Sequence, residues 1–511
     1  MNMQTLLTWI IFTPVLFAIL VLLTPSHLEN KLRSLALVQT LVVAAMTLVL
    51  YRHFEGGVAT PQFEHLIPWL PEWGIYYRVS VDGISLPLVV LTALISPLAL
   101  LGTWPNQGSL KKEKLLVIML MMLQTGMYGT FLASDLFLFY FFWEIVLIPA
   151  FFLIGIWGGE ERIAATVKFF LYTMVGSLLM LVAVFWLIKT TTETTGTPSA
   201  DFAQLALLKF DFDGTSLWSA LTSPQSLLFF AFALAFAIKV PMFPFHTWLP
   251  QAYVQAPMIG TIFLAAILGK FGTYGIMRIA LPLFPQAAHY FSGFFLAMGV
   301  VGIIYGAFCA MGQASLKKLV AYASLSHMGF IIVGLFSFQK IALAGSLYQM
   351  VNHGLSTAGL FMVAGFLYTR LQSFNFKDYG GLAKIMPLMA VAMMLLTLSA
   401  VGIPGSNGFV GEFAILLGTF QVHPIIATLA GTGVIFGAVY TLKAYQMVMF
   451  GPQTRQDLSQ LYDLKAKEIV PMLVLAFLIV GIGFFPQVFF WKSHATLVEY
   501  SNLLISTIGH P

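Results

Sequence analysis

Runs of about 17–25 mostly apolar residues recur from one end of the 511-residue chain to the other, each long enough to cross a bilayer core as a helix. Hydrocarbon offers peptide groups no water, so a spanning segment must satisfy its own backbone as a helix or join a closed barrel. Runs of this length select the helix. The sequence predicts fourteen, at about 4–24, 32–51, 81–103, 115–132, 136–156, 164–188, 226–248, 257–279, 290–311, 319–337, 342–368, 386–419, 425–450 and 469–490. With 59% hydrophobic and 9% charged residues, the expected fold class is an all-α polytopic membrane protein, with 1–511 as a single membrane domain.

The 25 Lys and Arg residues give the orientation. Sixteen fall in or beside the loops of one side: Lys31, Arg33, Lys111, Lys112, Lys114, Arg162, Lys168, Lys317, Lys318, Arg370, Lys377, Lys384, Lys443, Arg455, Lys465 and Lys467. Seven fall on the other, namely Arg52, Arg78, Lys189, Lys209, Arg278, Lys340 and Lys492. The bias puts the odd-numbered loops in the cytoplasm and both termini on the non-cytoplasmic side of an energy-transducing membrane. The net charge of +5 then reflects topology and gives no support to nucleic-acid binding. Met1–Thr5 carries no Lys or Arg and no small-residue cleavage site follows, so Leu6–Leu23 is expected to be the first span, not a secretory signal.

No loop exceeds about 40 residues, which leaves no room for an extramembrane catalytic domain between spans. Gly431, Gly433 and Gly437 lie inside an apolar run, where they suit close helix packing better than phosphate binding. Cys309, the single cysteine, excludes an intrachain disulfide and argues against a cysteine-ligated cluster. No cofactor and no metal site is expected in this chain.

Two spans are interrupted. The seventh runs into Lys239-Val-Pro241-Met-Phe-Pro244, and the twelfth contains Gly402-Ile-Pro404-Gly405-Ser-Asn407-Gly408. Proline removes a backbone donor, and the freed groups are tolerated at membrane depth only beside protein or a water-filled cavity. The breaks fall five spans apart, which points to two inverted repeats, spans 4–8 (about 111–285) and 9–13 (about 286–455). Residues 1–110 hold spans 1–3, and 456–511 hold span 14 and a tail.

Ionisable residues inside apolar runs cost about 2.5–3.5 kcal/mol each on insertion scales and point to function. Glu144 lies within Leu136–Ile156, Lys239 within Leu227–Val240 and Lys270 within Phe263–Met277, while Glu412 follows the twelfth-span break. Burial favours the neutral form of a carboxylate or an amine, and an approaching opposite charge reverses this, so a Glu144–Lys239 pair that opens and closes would switch proton affinity. A fixed salt bridge is the competing reading for each of them. For Lys270, the neighbouring Gly269 and Gly272 also suit packing around a kink. His327 and His353 lie on consecutive spans between the lysines and Glu412 in chain order, and imidazole both accepts and donates a proton near pH 7. Asp135 and His246, near span ends, are possible accessory groups.

The chain resembles the antiporter-like subunits of proton-pumping NADH:quinone oxidoreductase, respiratory complex I. The likeness runs through Val81-Asp82-Gly83-Ile-Ser85, Phe142-Trp143-Glu144, Lys168-Phe-Phe-Leu-Tyr172, Pro244-Phe-His246-Thr-Trp248-Leu-Pro250, Lys317–Gly329 and Gly408–Phe413. It implies that Glu144 and Lys239 form a pair, Lys270 is the central relay, and Glu412 is the terminal group facing the next pump module. Glutamate at 412 resembles the M type, where L and N types and cation/proton antiporter subunits usually carry lysine. The chain's end after the fourteenth run also differs from the L type with its long lateral helix. The resemblance further implies a non-redox translocase subunit that lies beside L- and N-type subunits in the bilayer and moves protons driven by quinone chemistry elsewhere. The chain departs from the family pattern at Gln251 and Tyr253, where relatives carry aspartate and histidine, and at Ala266 and Gly269. The first departure removes two titratable groups from the proton entry route that the resemblance implies at the cytoplasmic end of the broken span. Together the departures point to a divergent complex with another electron donor.

Two further readings stand beside this one. A subunit of a multisubunit sodium/proton antiporter, or of a related membrane-bound hydrogenase, would share the fold, and an inactive scaffold would lack the titratable series, which is intact here.

Overall fold

The computed structural model describes residues 3–25, 31–103, 112–453 and 461–508; Lys111 and Arg455, used above for orientation, lie outside them. The N-terminal part comprises α1 (Met3–Leu23), α2 (Leu32–His53) and α3 (Ser85–Thr103). Between α2 and α3, where the sequence reading had only a loop, an antiparallel hairpin pairs β1 (Gln62–Leu70) with β2 (Ile75–Val81). This two-stranded hairpin is an addition to an otherwise mostly helical fold. Aromatic and β-branched residues dominate β2, and the turn Pro71–Gly74 closes the ribbon. Tyr77 donates to Thr8 of α1 at 3.0 Å, which ties the hairpin to the helices.

Next come α4 (Glu113–Leu132), α5 (Leu136–Trp157, with a turn at Val146), α6 (Arg162–Thr195), α7 (Pro224–Lys239), α8 (Trp248–Gln255) and α9 (Met258–Leu283). They are followed by α10 (Ser292–Met311), α11 (Leu316–Phe336), α12 (Lys340–Leu371), α13 (Pro387–Val401), α14 (Asn407–Val422), α15 (Pro424–Met449), α16 (Ala466–Phe484) and a C-terminal α17 (His494–Ile508) absent from the sequence reading. Among the described residues, twelve helices are long and apolar enough to span a membrane, and α7 and α13 are shorter apolar helices. The chain is an integral, multi-pass membrane protein.

Two predicted runs split where their prolines and glycines require it. The run over 226–248 ends at Lys239, and the chain turns through 240–247 before α8. The run over 386–419 becomes α13 and α14, because Gly402 takes a left-handed φ of 75° that ends α13. Polar side chains satisfy the exposed groups of this second break. Asn352 Nδ2 donates to Asn407 O at 2.7 Å, Asn407 Nδ2 to Asn352 O at 3.2 Å, and Ser399 Oγ to Asn407 Oδ1 at 2.5 Å.

The central windows of α9 and α12 are wholly buried, so the polar groups on these helices face protein. Exposed large apolar side chains occur on peripheral helices, as at Leu23, Ile425 and Phe477.

Asp135 joins the start of α5 to the hairpin. Its carboxylate accepts from the amides of Phe137 and Leu138, both at 2.9 Å, as the N-cap of α5, and from Tyr76 N of β2 at 3.1 Å. Burial pushes this carboxyl up to about 6, against the opposing pull of those amides. A folded value above the unfolded one means that ionisation opposes folding here. The contribution is fully present below the unfolded carboxylate range, about 3.9, and is lost as pH rises through about 6. Amide exchange at Phe137 and Leu138, corrected for intrinsic rates, should therefore slow as pH falls from 7 to 5, and Asp135→Asn should abolish that dependence. Asp135→Ala should lower local stability by about 0.5–2 kcal/mol.

Candidate proton-relay site

A lysine enclosed by protein needs acceptors, and α9 supplies one through its own distortion. Residues Leu264–Leu268 form a π-helical turn, as do Ile276–Ala280. Such turns widen the helix and free carbonyls from the regular ladder. Lys270 Nζ donates to Ala265 O at 2.7 Å, and the Tyr253 hydroxyl to Leu264 O at 3.0 Å. Lys270 also lies 2.7 Å from Nδ1 of His353 on α12.

That contact begins a buried polar series. While Lys270 is an ammonium it can only donate, so His353 Nδ1 then accepts and its Nε2–H faces Ser324 Oγ of α11 at 3.1 Å. The ring centroid of His327, also on α11, is 5.6 Å from that of His353. His327 Nδ1 lies 2.7 Å from Glu412 Oε1 on α14, and Gln349 Nε2 donates to the same oxygen at 2.8 Å. Donation from His327 Nδ1 leaves its Nε2 as an acceptor in the neutral ring, and this buried atom has no hydrogen-bond partner among the described residues. A cavity of about 20 Å³ lies against both imidazoles, Ser324, Gln349 and Glu412, with room for about one water.

The first half of the chain is arranged differently. Lys239, buried at the C-terminal end of α7, places Nζ 5.0 Å from the ring centroid of Trp143, a cation–π contact. Glu144, the next residue, is half-buried and within electrostatic reach of Lys239. No ion pair joins the two among the described residues, so the predicted Glu144–Lys239 bridge is open in this structure. Trp248 Nε1 donates to Ile238 O at 2.8 Å and thereby satisfies a carbonyl freed by the break. Gly272 of α9 packs against this end of α7, where a Cβ would stand 2.7 Å from Val240 N. The packing role predicted for the glycines near Lys270 thus holds at Gly272.

His246 is buried, stacked on Phe243 at 5.6 Å and edge-on to Tyr305 at 5.0 Å, and makes no contact with either lysine in the described interactions. Asp135 belongs to the hairpin junction. Lys317, counted among loop cations, is buried instead, and its Nζ donates to Val254 O at 2.9 Å and Ala256 O at 2.8 Å, where a cation suits the C-terminus of α8.

Sequence reasoning missed Trp143, Ser324, Gln349 and Tyr253 as partners. Two of these had a helical-spacing signal: Ser324 precedes His327 by three residues, and Gln349 precedes His353 by four. Among the described residues no group of three or more metal-ligating side chains occurs.

A transmembrane family described as NADH:quinone oxidoreductase/Mrp antiporter matches residues 133–437, and the chain belongs to that family. NADH-quinone oxidoreductase subunit M of Rhodobacter capsulatus is 38% identical over 95% of this chain and 94% of its own length. Among solved structures, a chain of respiratory complex I from Thermus thermophilus with bound NADH matches with a TM-score of 0.86 and 31% identity, covering 98% of this chain and 100% of that one. A chain of the Mrp complex from Dietzia sp. DQ12-45-1b shares the fold, with a TM-score of 0.81 at 19% identity.

Gln349→Leu removes one of the two side-chain donors on Glu412. A lost hydrogen bond to a buried charged group should lower stability by about 1.5–3 kcal/mol, read as an earlier unfolding transition of the purified full-length chain. An unchanged transition would mean that the Gln349–Glu412 bond adds no net stability.

Proposed function

We propose that the chain is an M-type, proton-translocating membrane subunit of an NADH:quinone oxidoreductase, without a redox centre or cofactor of its own. The observation that carries this reading is the buried series from Lys270 through His353 and His327 to Glu412, in which a water-sized cavity bridges the two imidazoles. Its members alternate donor and acceptor in the order a relay needs. Likeness to subunit M relatives over nearly the full length supports the assignment, and among solved structures 31% identity to the complex I chain against 19% to the Mrp chain favours it over a cation/proton antiporter.

The relay works in three transfers. Lys270 passes a proton to His353 Nδ1, and His353 gives up its Nε2 proton across the water-sized cavity to His327 Nε2. His327 then releases its Nδ1 proton to Glu412, which leaves both rings as the opposite tautomers. Ring reorientation or reverse filling resets them. Lys239 reloads Lys270 across the α7–α9 contact, and closure of Glu144 on Lys239 holds that lysine charged between cycles.

The same reading takes α7 with α8 as the seventh span and α13 with α14 as the twelfth, giving fourteen crossings in all and two inverted repeats over about 111–285 and 286–455. Both termini then lie on the non-cytoplasmic side. Glu412 faces a neighbouring L- or N-type subunit in the membrane arm.

Lys239→Ala, assayed for proton pumping and quinone reduction together in reconstituted membranes of the assembled complex, tests the loading step. Pumping should fall by at least about tenfold, a barrier change of about 1.4 kcal/mol, with assembly intact. Full retention of both activities would leave Lys239 a packing residue.

A further inference from the structure

A cleft of about 480 Å³ opens between α2, α3 and α16, away from the relay. Its walls are almost entirely apolar, among them Leu48, Val90, Leu94, Ile482 and Val488. Leu48 and Val488 are each more than half exposed, so the cleft opens sideways onto the bilayer. Along α2 it extends from Ala44 to Tyr51, about 10 Å of helix, which is most of one leaflet.

One charge closes this cleft at its outer end. Lys492 is buried, and its Nζ donates to Tyr51 O at 2.5 Å and Phe54 O at 2.6 Å. Those bonds cap the C-terminus of α2 and use two of the three ammonium donors. No carboxylate of the described residues lies within ion-pair distance of it. The rings of Tyr51 and Trp491 stand 4.6 and 5.0 Å from the ammonium, in the aromatic setting of a membrane interface. An apolar trough one leaflet deep ends on a cation with a spare donor and no counter-charge.

We propose that this cleft binds an anionic phospholipid, one acyl chain lying between α2 and α16 and the phosphate meeting Lys492. The lipid supplies the missing negative charge and fills the gap between helices. A neutral lipid would fill the trough but leave the ammonium unneutralised. The site is independent of the relay, so its failure leaves the proposed function untouched.

Purified full-length chain in detergent is titrated with phosphatidylglycerol, with phosphatidylcholine of the same acyl chains, and with glycerol 3-phosphate, following thermal stability. Phosphatidylglycerol should stabilise the protein at about tenfold lower concentration than phosphatidylcholine, as expected for one charge-assisted contact, and glycerol 3-phosphate should have no effect. Lys492→Gln should equalise the two lipids, and Lys492→Arg should keep the preference. Leu48→Trp, which fills the trough from an exposed position, should abolish the response to both. Equal responses of the unmodified chain to both lipids, a full response in Leu48→Trp, or substitution by glycerol 3-phosphate would each overturn the proposal.

Discussion

A buried ammonium is tolerated only where acceptors surround it, and much of this molecule is organised to provide them for Lys270. The π turn of α9 frees Ala265 O for one bond, and α12 brings His353 Nδ1 for another, both at 2.7 Å. While Lys270 is protonated it can only donate, so this contact then selects the Nε2–H tautomer of His353, from which the next proton leaves. The helices that hold this arrangement, α9 and α12, are the two whose central windows are wholly buried, which keeps lipid away from the charge.

The helix breaks follow from the same constraint. A backbone that stops being helical inside a membrane must find partners, and each break finds them in side chains that also define the site. Trp248 satisfies the carbonyl next to Lys239, and the Asn352–Asn407–Ser399 cluster holds the second break just before Glu412. Polarity therefore accumulates at the breaks, and two of the candidate relay residues, Lys239 and Glu412, lie beside them.

Much of this was legible in the sequence because the bilayer makes composition decisive. Apolar runs marked the spans, and Pro241, Pro244, Gly402 and Pro404 marked the breaks. Charges inside apolar runs marked Glu144, Lys239, Lys270 and Glu412. The order Lys270, His353, His327, Glu412 in space was not legible, since it depends on which faces of α11 and α12 meet, and chain order places His327 first. The hairpin was hidden in a loop bounded by stronger helix signals, and the π turns carry no composition signature among Leu264–Leu268. The open Glu144–Lys239 pair was also beyond the sequence, because Trp143 offers Lys239 a neutral partner that charge counting does not include.

The central claim is that protons pass along the buried series that begins at Lys270. Its most direct test is proton translocation per quinone reduced in reconstituted membranes of the complex carrying Lys270→Met, which keeps the side-chain volume and removes the charge. The account predicts an assembled complex whose pumping through this subunit is lost. Unchanged translocation per quinone would contradict it.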